Sequence, residues 1–243
     1  MKLYRRIVEF AGAAALITGM TGMEVGISRP AQAAITTISD SAPAATTTTT
    51  NTNNVPTSVS QVGEYGENIY EAAQANNWTQ VTAKLTSLKD AAKRLDNESR
   101  INENPNEDRL DAAIAALNKA VTAKNKLATM RAANQTTLLA ANLSAPFNPP
   151  VPVQVTLLDY YGRQLEIGAA ANNMTQLKET AKDISRTWNA LRPAVESHGG
   201  SAQAQQFDHL VARVEAAKSS NEYGSLGTPV LNQVDNLEKV FTQ

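Results

Sequence analysis

The sequence contains no cysteine. Disulfides, thiolate metal sites, covalent haem attachment and cysteine catalysis are excluded together. So is the N-terminal lipid anchor of a bacterial lipoprotein, which needs a Cys at its cleavage point. Histidine is almost as scarce, with only His198 and His209 in 243 residues. Their spacing does not stack them on neighbouring helical turns, and neither stands in a His-x-x-x-His or Glu-x-x-His pattern. Both read as exposed polar residues, and no cofactor or metal is expected. Aromatic residues make up 5% of the chain. The core must then come mostly from Ala, Leu, Val and Ile, which favours closely packed helices over a β-sandwich. The net charge is -1 with no basic block, so a phosphate-tracking surface, and with it nucleic acid as a partner, is not expected.

The N-terminus has the order of a bacterial secretory signal. Lys2, Arg5 and Arg6 precede a short apolar run from Phe10 to Met20, and Ala31-Gln32-Ala33 supplies a small-x-small cleavage site. The apolar run is about half the roughly 20 residues of a spanning helix. The reading is a signal peptide over 1–33, with Ala34 the first mature residue and the product exported to the periplasm or the exterior. Cleavage removes four positive and two negative residues from totals of 22 and 23, leaving 18 against 21, or -3. No later apolar run is long enough to cross a bilayer.

From 34 to 60 the chain is Thr, Ser, Asn, Ala and Pro with almost no charge. Such a segment cannot bury enough surface to offset its ordering entropy, so a disordered tether is expected there. A glycosylated stalk is the sharper alternative.

An internal repeat then begins. Tyr65-Gly66 matches Tyr161-Gly162, and Ala75-Asn76-Asn77-Trp78-Thr79-Gln80 matches Ala171-Asn172-Asn173-Met174-Thr175-Gln176. The offset is 96 (161 minus 65) without a gap. Nine positions are identical between 63–95 and 159–191. Asn77 and Asn173 suit helix N-caps, and Gln80 and Gln176, three residues on, suit the reciprocal half of a capping box. Asn77-Trp78-Thr79 and Asn173-Met174-Thr175 also fit the N-glycosylation pattern, although capping explains them better. The helices launched here carry seams of identical spacing: Val81, Leu85, Leu88, Ala92, Leu95 and Leu177, Ala181, Ile184, Trp188, Leu191. The second seam is expected to end at Arg192-Pro193. Third helices are seamed by Leu110, Ile114, Leu117, Val121 and by Phe207, Leu210, Val211, Val214. Fourth helices are marked by Leu127, Met130, Leu138 and by Tyr223 through Phe241.

The expected fold is all-α: related units at 61–143 and 153–243, each an up-down bundle of about four short helices, joined by a stiff Pro-rich linker at 144–152. If helices merge, the alternative is two long hairpins forming one four-helix bundle. The Asn-Asn turns and the linker favour the first arrangement.

No catalytic constellation emerges. Gly224-Ser225-Leu226-Gly227 lacks the Gly-x-Ser-x-Gly spacing and the preceding strand of a nucleophile elbow. Carboxylates such as Glu67, Glu71, Asp90, Asp108 and Asp111 are spread among Lys and Arg and read as a solvated face. Of the aromatics, Trp188 belongs to a seam. Trp78, Tyr65, Tyr160 and Tyr161 remain as candidate partner contacts, with core packing as the competing role.

Four short antiparallel helices in an exported chain resemble the cytochrome b562 and cytochrome c′ type of bundle. That resemblance implies a His ligand near the end of the last helix, and no His lies between Glu222 and Gln243. The Asn76-to-Val81 helix start is similar to the PsbQ-like extrinsic bundles of photosystem II. The function expected is a non-enzymatic exported protein that binds or scaffolds a protein partner. The alternatives are a carrier of a small ligand or metal between helices, and a b562-like bundle without haem ligands.

Overall fold

The computed structural model describes residues 55–95 and 106–242. The expected signal peptide and most of the expected tether lie outside them. So do residues 96–105, with the break expected after the first seam. Among the described residues there are eight α-helices and no strand. They are α1 (Thr57–Gln74), α2 (Trp78–Leu95), α3 (Asn106–Thr122), α4 (Lys126–Ser144), α5 (Val153–Ala170), α6 (Met174–Ser197), α7 (Ser201–Ala216) and α8 (Ser220–Phe241).

Helix α1 begins at Thr57, three residues before position 60, where the polar stretch was expected to end. Val59 and Val62 explain this, because both are buried in the core and draw the preceding turn into the helix. The α1–α2 turn is built by the two asparagines in different roles. Asn76 adopts the left-handed conformation at φ 57°, which asparagine tolerates, and closes α1. The N–H groups of Asn76 and Asn77 donate to the carbonyls of Ala73 and Ala72 at 3.0 and 2.8 Å. Asn77 then opens α2, its Oδ1 accepting from the Gln80 N–H at 3.2 Å. Asn172 (φ 49°) and Asn173 do the same between α5 and α6, with the Gln176 N–H 3.1 Å from Asn173 Oδ1. The glutamines act differently from the reciprocal cap expected. The side-chain amides of Asn77 and Asn173 donate to Gln80 and Gln176 at 3.1 and 3.5 Å, so the glutamine oxygens meet side-chain amides rather than cap N–H groups.

Helices α3 and α4 do not merge. Lys124 turns at φ 48° and Asn125 caps α4 by accepting from Ala128 N–H at 3.0 Å. Helix α6 runs through Pro193 instead of stopping there. Proline removes one internal hydrogen bond, but its ring faces solvent, where water can satisfy the freed carbonyl. Burial of Leu191 and Val195, two residues to either side of the proline, holds the helix together. Gly199 ends it at φ 83°. The 144–152 stretch is not uniformly extended. Ala145–Phe147 forms a single 3₁₀ turn, and Phe147 is buried against the end of α1–α4.

Each helix set closes on itself: α1 packs on α2 and α4, and α3 on α4; α5 packs on α6 and α8, and α7 on both neighbours. Gly66 and Gly162, 96 positions apart, let the first and last helices of each set approach closely. A Cβ on Gly66 would sit 2.7 Å from Thr137 Oγ1, and one on Gly162 would sit 2.8 Å from Leu231 Cδ2. The α5–α8 set has one continuous core running from Val155 to Val240. The α1–α4 set has two clusters, one near Phe147 and one around Ile69, Leu88, Leu117 and Met130. Ile167 of α5 enters the second cluster, so the two sets share a boundary along α1, α4 and α5. We call the sets bundle 1 and bundle 2.

Candidate functional site

The most polar buried region is that boundary. Arg163 on α5 is 1% exposed. One guanidinium nitrogen lies 2.5 Å from Asp159 one turn back, and the other lies 3.6 Å from Glu67 of α1. Its carbon sits 5.5 Å from the centre of the Tyr70 ring. The Tyr70 hydroxyl donates to Glu166 Oε2 at 2.7 Å. Glu166 also accepts from Gln74 at 2.8 Å and from Thr228 of α8 at 2.9 Å. Burial, then the neighbouring Glu166 carboxylate, push the Tyr70 phenol far above its ordinary range, so the phenol stays protonated and acts as the donor. Asn134 of α4 adds a bond from its amide to the Tyr160 carbonyl at 3.0 Å.

Charges buried this deeply cost several kcal/mol each unless paired. Here α1, α5 and α8 converge so that they are. Glu67 therefore does not belong to a solvated face as expected; it is half-buried against Arg163. Two glycines of the Gly-Ser-Leu-Gly motif find their purpose here as well. Gly227 packs on the stem of Glu166, where any side chain would collide, and Gly224 packs on Ala169. The Ser225 hydroxyl simply donates to the Glu222 carbonyl at 2.8 Å.

A second ion pair serves bundle 2 alone. Asp208 takes a forked contact from Arg192 at 3.0 and 3.1 Å and the Trp188 indole N–H at 2.7 Å. The Arg192 hydrogen bonds hold the Asp208 carboxyl below its ordinary range. Trp188 is buried and stacks on Phe207 with ring centres 4.5 Å apart.

The aromatic contact candidates do not form one patch. Tyr65 and Trp78 are half-buried against the core of bundle 1, and Lys84 lies 5.5 Å from the Tyr65 ring centre. Tyr160 and Tyr161 meet edge to face at 5.2 Å on α5. Tyr161 packs on the core of bundle 2, and the Tyr160 hydroxyl accepts from Gln164 at 2.6 Å. Burial raises both phenols. His198 is exposed, with Nδ1 2.8 Å from the Ala194 carbonyl, and His209 is exposed on α7. Among the described residues, no group of three or more His, Cys, Asp or Glu could hold a metal ion.

Among the described residues, each bundle carries a concave surface. An open groove of about 650 Å³ runs over bundle 2 beside Lys178, Lys182, Arg186, Glu215 and Tyr223. A smaller slot of about 200 Å³ opens in bundle 1 and is lined by Lys89, Ala92, Lys93, Asp111 and Ile114. Among the described residues, no helix is long and apolar enough to cross a membrane.

No family model, curated protein or solved structure matches this chain.

Proposed function

We propose that the chain is an exported, non-enzymatic helical-bundle protein that binds or scaffolds a protein partner outside the cytoplasm. The supporting observation is how its polar groups are used. Tyr70, Arg192 and Asp208 are held away from their ordinary proton affinities, which often marks an active site. Here each is engaged in bonds between helices, with Glu166, Asp208 or Trp188 as partner. The polar chemistry is spent on fixing one rigid arrangement, as suits a module that presents a surface. Export rests on the signal-like 1–33 segment, and the polar stretch after it would hold the bundles at a distance from their surroundings.

The same reading includes duplication of one four-helix unit. Helix α5 starts and ends 96 residues after α1 (153 minus 57, 170 minus 74). The left-handed Asn76 and Asn172 obey the same offset. The boundary pairs Glu67–Arg163 and Tyr70–Glu166 are themselves 96 apart, as in a fused homodimer whose equivalent positions face each other.

The test is fractionation of a bacterium expressing the full chain, with intact mass and crosslinking of the exported product. Product beginning at Ala34 outside the cytoplasm, crosslinked to a partner through the helical body, is the expected result. Full-length chain retained inside overturns the export reading, and persistent failure to crosslink any protein overturns the binding reading. The bundle 2 groove supports a second reading, a carrier of a small ligand. Native mass spectrometry would then find added mass that Lys182→Glu removes.

A further inference from the structure

Glu67–Arg163 and Tyr70–Glu166 advance together along the chain. Helices α1 and α5 therefore run in the same direction, and each of these residues stands opposite its own equivalent. Two bundles of the first type meeting through this face would bring Glu67 against Glu67. Tyr70 would meet a second Tyr70 in place of the Glu166 acceptor, and Gly63, the equivalent of Asp159, brings no charge to either side. Two bundles of the second type would oppose Arg163 to Arg163 and Glu166 to Glu166. Asp159 offsets the first of these like pairs but not the second. Only bundle 1 against bundle 2 sets a carboxylate opposite a guanidinium and a phenol donor opposite a carboxylate. Burial sharpens the difference, because a buried charge deprived of its partner is strongly destabilising.

The flanking helices differ in the same sense. Ala133 and Thr137 of α4 meet Gly66 as Gly227 and Leu231 of α8 meet Gly162, so α4 and α8 correspond at an offset of 94 (227 minus 133, 231 minus 137). Helix α4 packs along α5, Asn134 donating to the Tyr160 carbonyl, and Ile167 of α5 is buried in one core cluster with Met130. Among the described residues, α8 has no comparable packing on α1. The α1 equivalents of Tyr160 and Ile167 are Glu64 and the exposed Glu71, and the α8 equivalent of Met130 is Gly224. Two bundles 1 would set a carboxylate in the apolar place of Ile167, and two bundles 2 would set a glycine in the place of Met130. We propose that the boundary is a mixed-pair interface: the α1–α4 face of bundle 1 accepts a bundle of the second type and rejects its own kind, so besides the bundle on its own chain it fits bundle 2 of a second copy. Glu67, Tyr70, Arg163 and Glu166 set the choice. The assignment rests on the duplication reading above.

The test folds the full chain first and then cuts it at a protease site inserted after Asn148, an exposed linker residue. Unlabelled and isotope-labelled cut chains are mixed, and native mass spectrometry counts the pairs. The halves should stay together after cutting, light and heavy halves should scramble, and every pair should hold one bundle 1 and one bundle 2. Like pairs at comparable abundance overturn the proposal, as do halves that part on cutting or never scramble. A competition reads the choice itself. Glu67→Arg sets a cation opposite Arg163 from a half-buried position, and wild-type bundle 2 should prefer wild-type bundle 1 over this variant by about tenfold or more. Glu67→Gln, which removes only the charge, should lose by less and serves should Glu67→Arg fold poorly. Equal capture of wild-type and variant halves overturns the proposal. Like pairs would leave the duplication standing, since it needs only equivalent helices. An experimental structure in which α1 and α2 fail to superpose on α5 and α6 would overturn the duplication, whichever pairs the cut chain forms.

Discussion

Bundles 1 and 2 share a plan and differ in how they are closed. The same Asn-Asn turn launches α2 and α6, and the same glycine lets the first and last helices approach. Bundle 2 then fills its α6–α7 layer with Trp188 and Phe207 and ties the indole to the Asp208–Arg192 pair. Bundle 1 has Ala92 and Ala113 at those positions, two core clusters instead of one, and a slot at its surface. The contrast shows that one backbone plan can fill the same layer with large aromatic side chains or with small aliphatic ones. The choice rests on very few residues.

Three substitutions would break or sharpen the contrast. The largest effect belongs to Trp188→Ala, which gives bundle 2 the alanine of bundle 1. A loss of about 3–5 kcal/mol is expected from the cavity and lost burial. Denaturant unfolding checks it, and a loss below about 1 kcal/mol would mean that Trp188 does not carry the layer.

Next is Arg163→Met. It leaves Asp159 buried without its cation, and removing one member of a buried pair costs about 3 kcal/mol. Because Arg163 reaches both bundles, the unfolding transition should also lose cooperativity, with the bundle 1 and bundle 2 tryptophans, Trp78 and Trp188, reporting separate midpoints. A single unshifted transition would contradict the role given to the boundary.

The smallest effect is electrostatic. The Asp208 carboxyl is held below its ordinary range by Arg192, so its contribution is present above the unfolded carboxylate range and is lost as pH falls through the lower folded value. Asp208→Asn keeps an acceptor for the Trp188 indole and removes only the charge. Its effect at neutral pH should stay below about 1 kcal/mol, because the pair is partly solvated. It should shrink further in acid, where the two proteins become equally stable. An undiminished difference at low pH would contradict this.

Much of the fold was legible in the sequence because most helices announce themselves by an apolar seam, and α2, α4, α6 and α8 also by a capping residue. Val81 through Leu95 and Leu177 through Leu191 are buried as their spacing implied, and Trp188 is in the core. The boundary between the bundles was not legible. It is made of Glu67, Tyr70, Arg163 and Glu166, whose types and spacing on one strand of sequence are those of a solvated helix face. Only the partner helix converts them into a buried network. Helix α4 was misjudged for the same reason. It buries Thr129, Asn134, Thr136 and Thr137 because it is flanked by α1, α3 and α5, while Leu138, expected in its seam, is only half-buried. The slot of bundle 1 was hidden because alanine at a seam position reads as ordinary close packing.

The central claim is that bundle 2 fills its α6–α7 layer with a stacked aromatic pair, whereas bundle 1 fills the matching α2–α3 layer with alanines. Residue-resolved hydrogen exchange of the full chain tests it most directly, since local opening follows the density of buried contacts. The account predicts faster amide exchange at Leu88, Ala92 and Leu95 than at their counterparts Ile184, Trp188 and Leu191. Equal protection, or slower exchange in bundle 1, would contradict it.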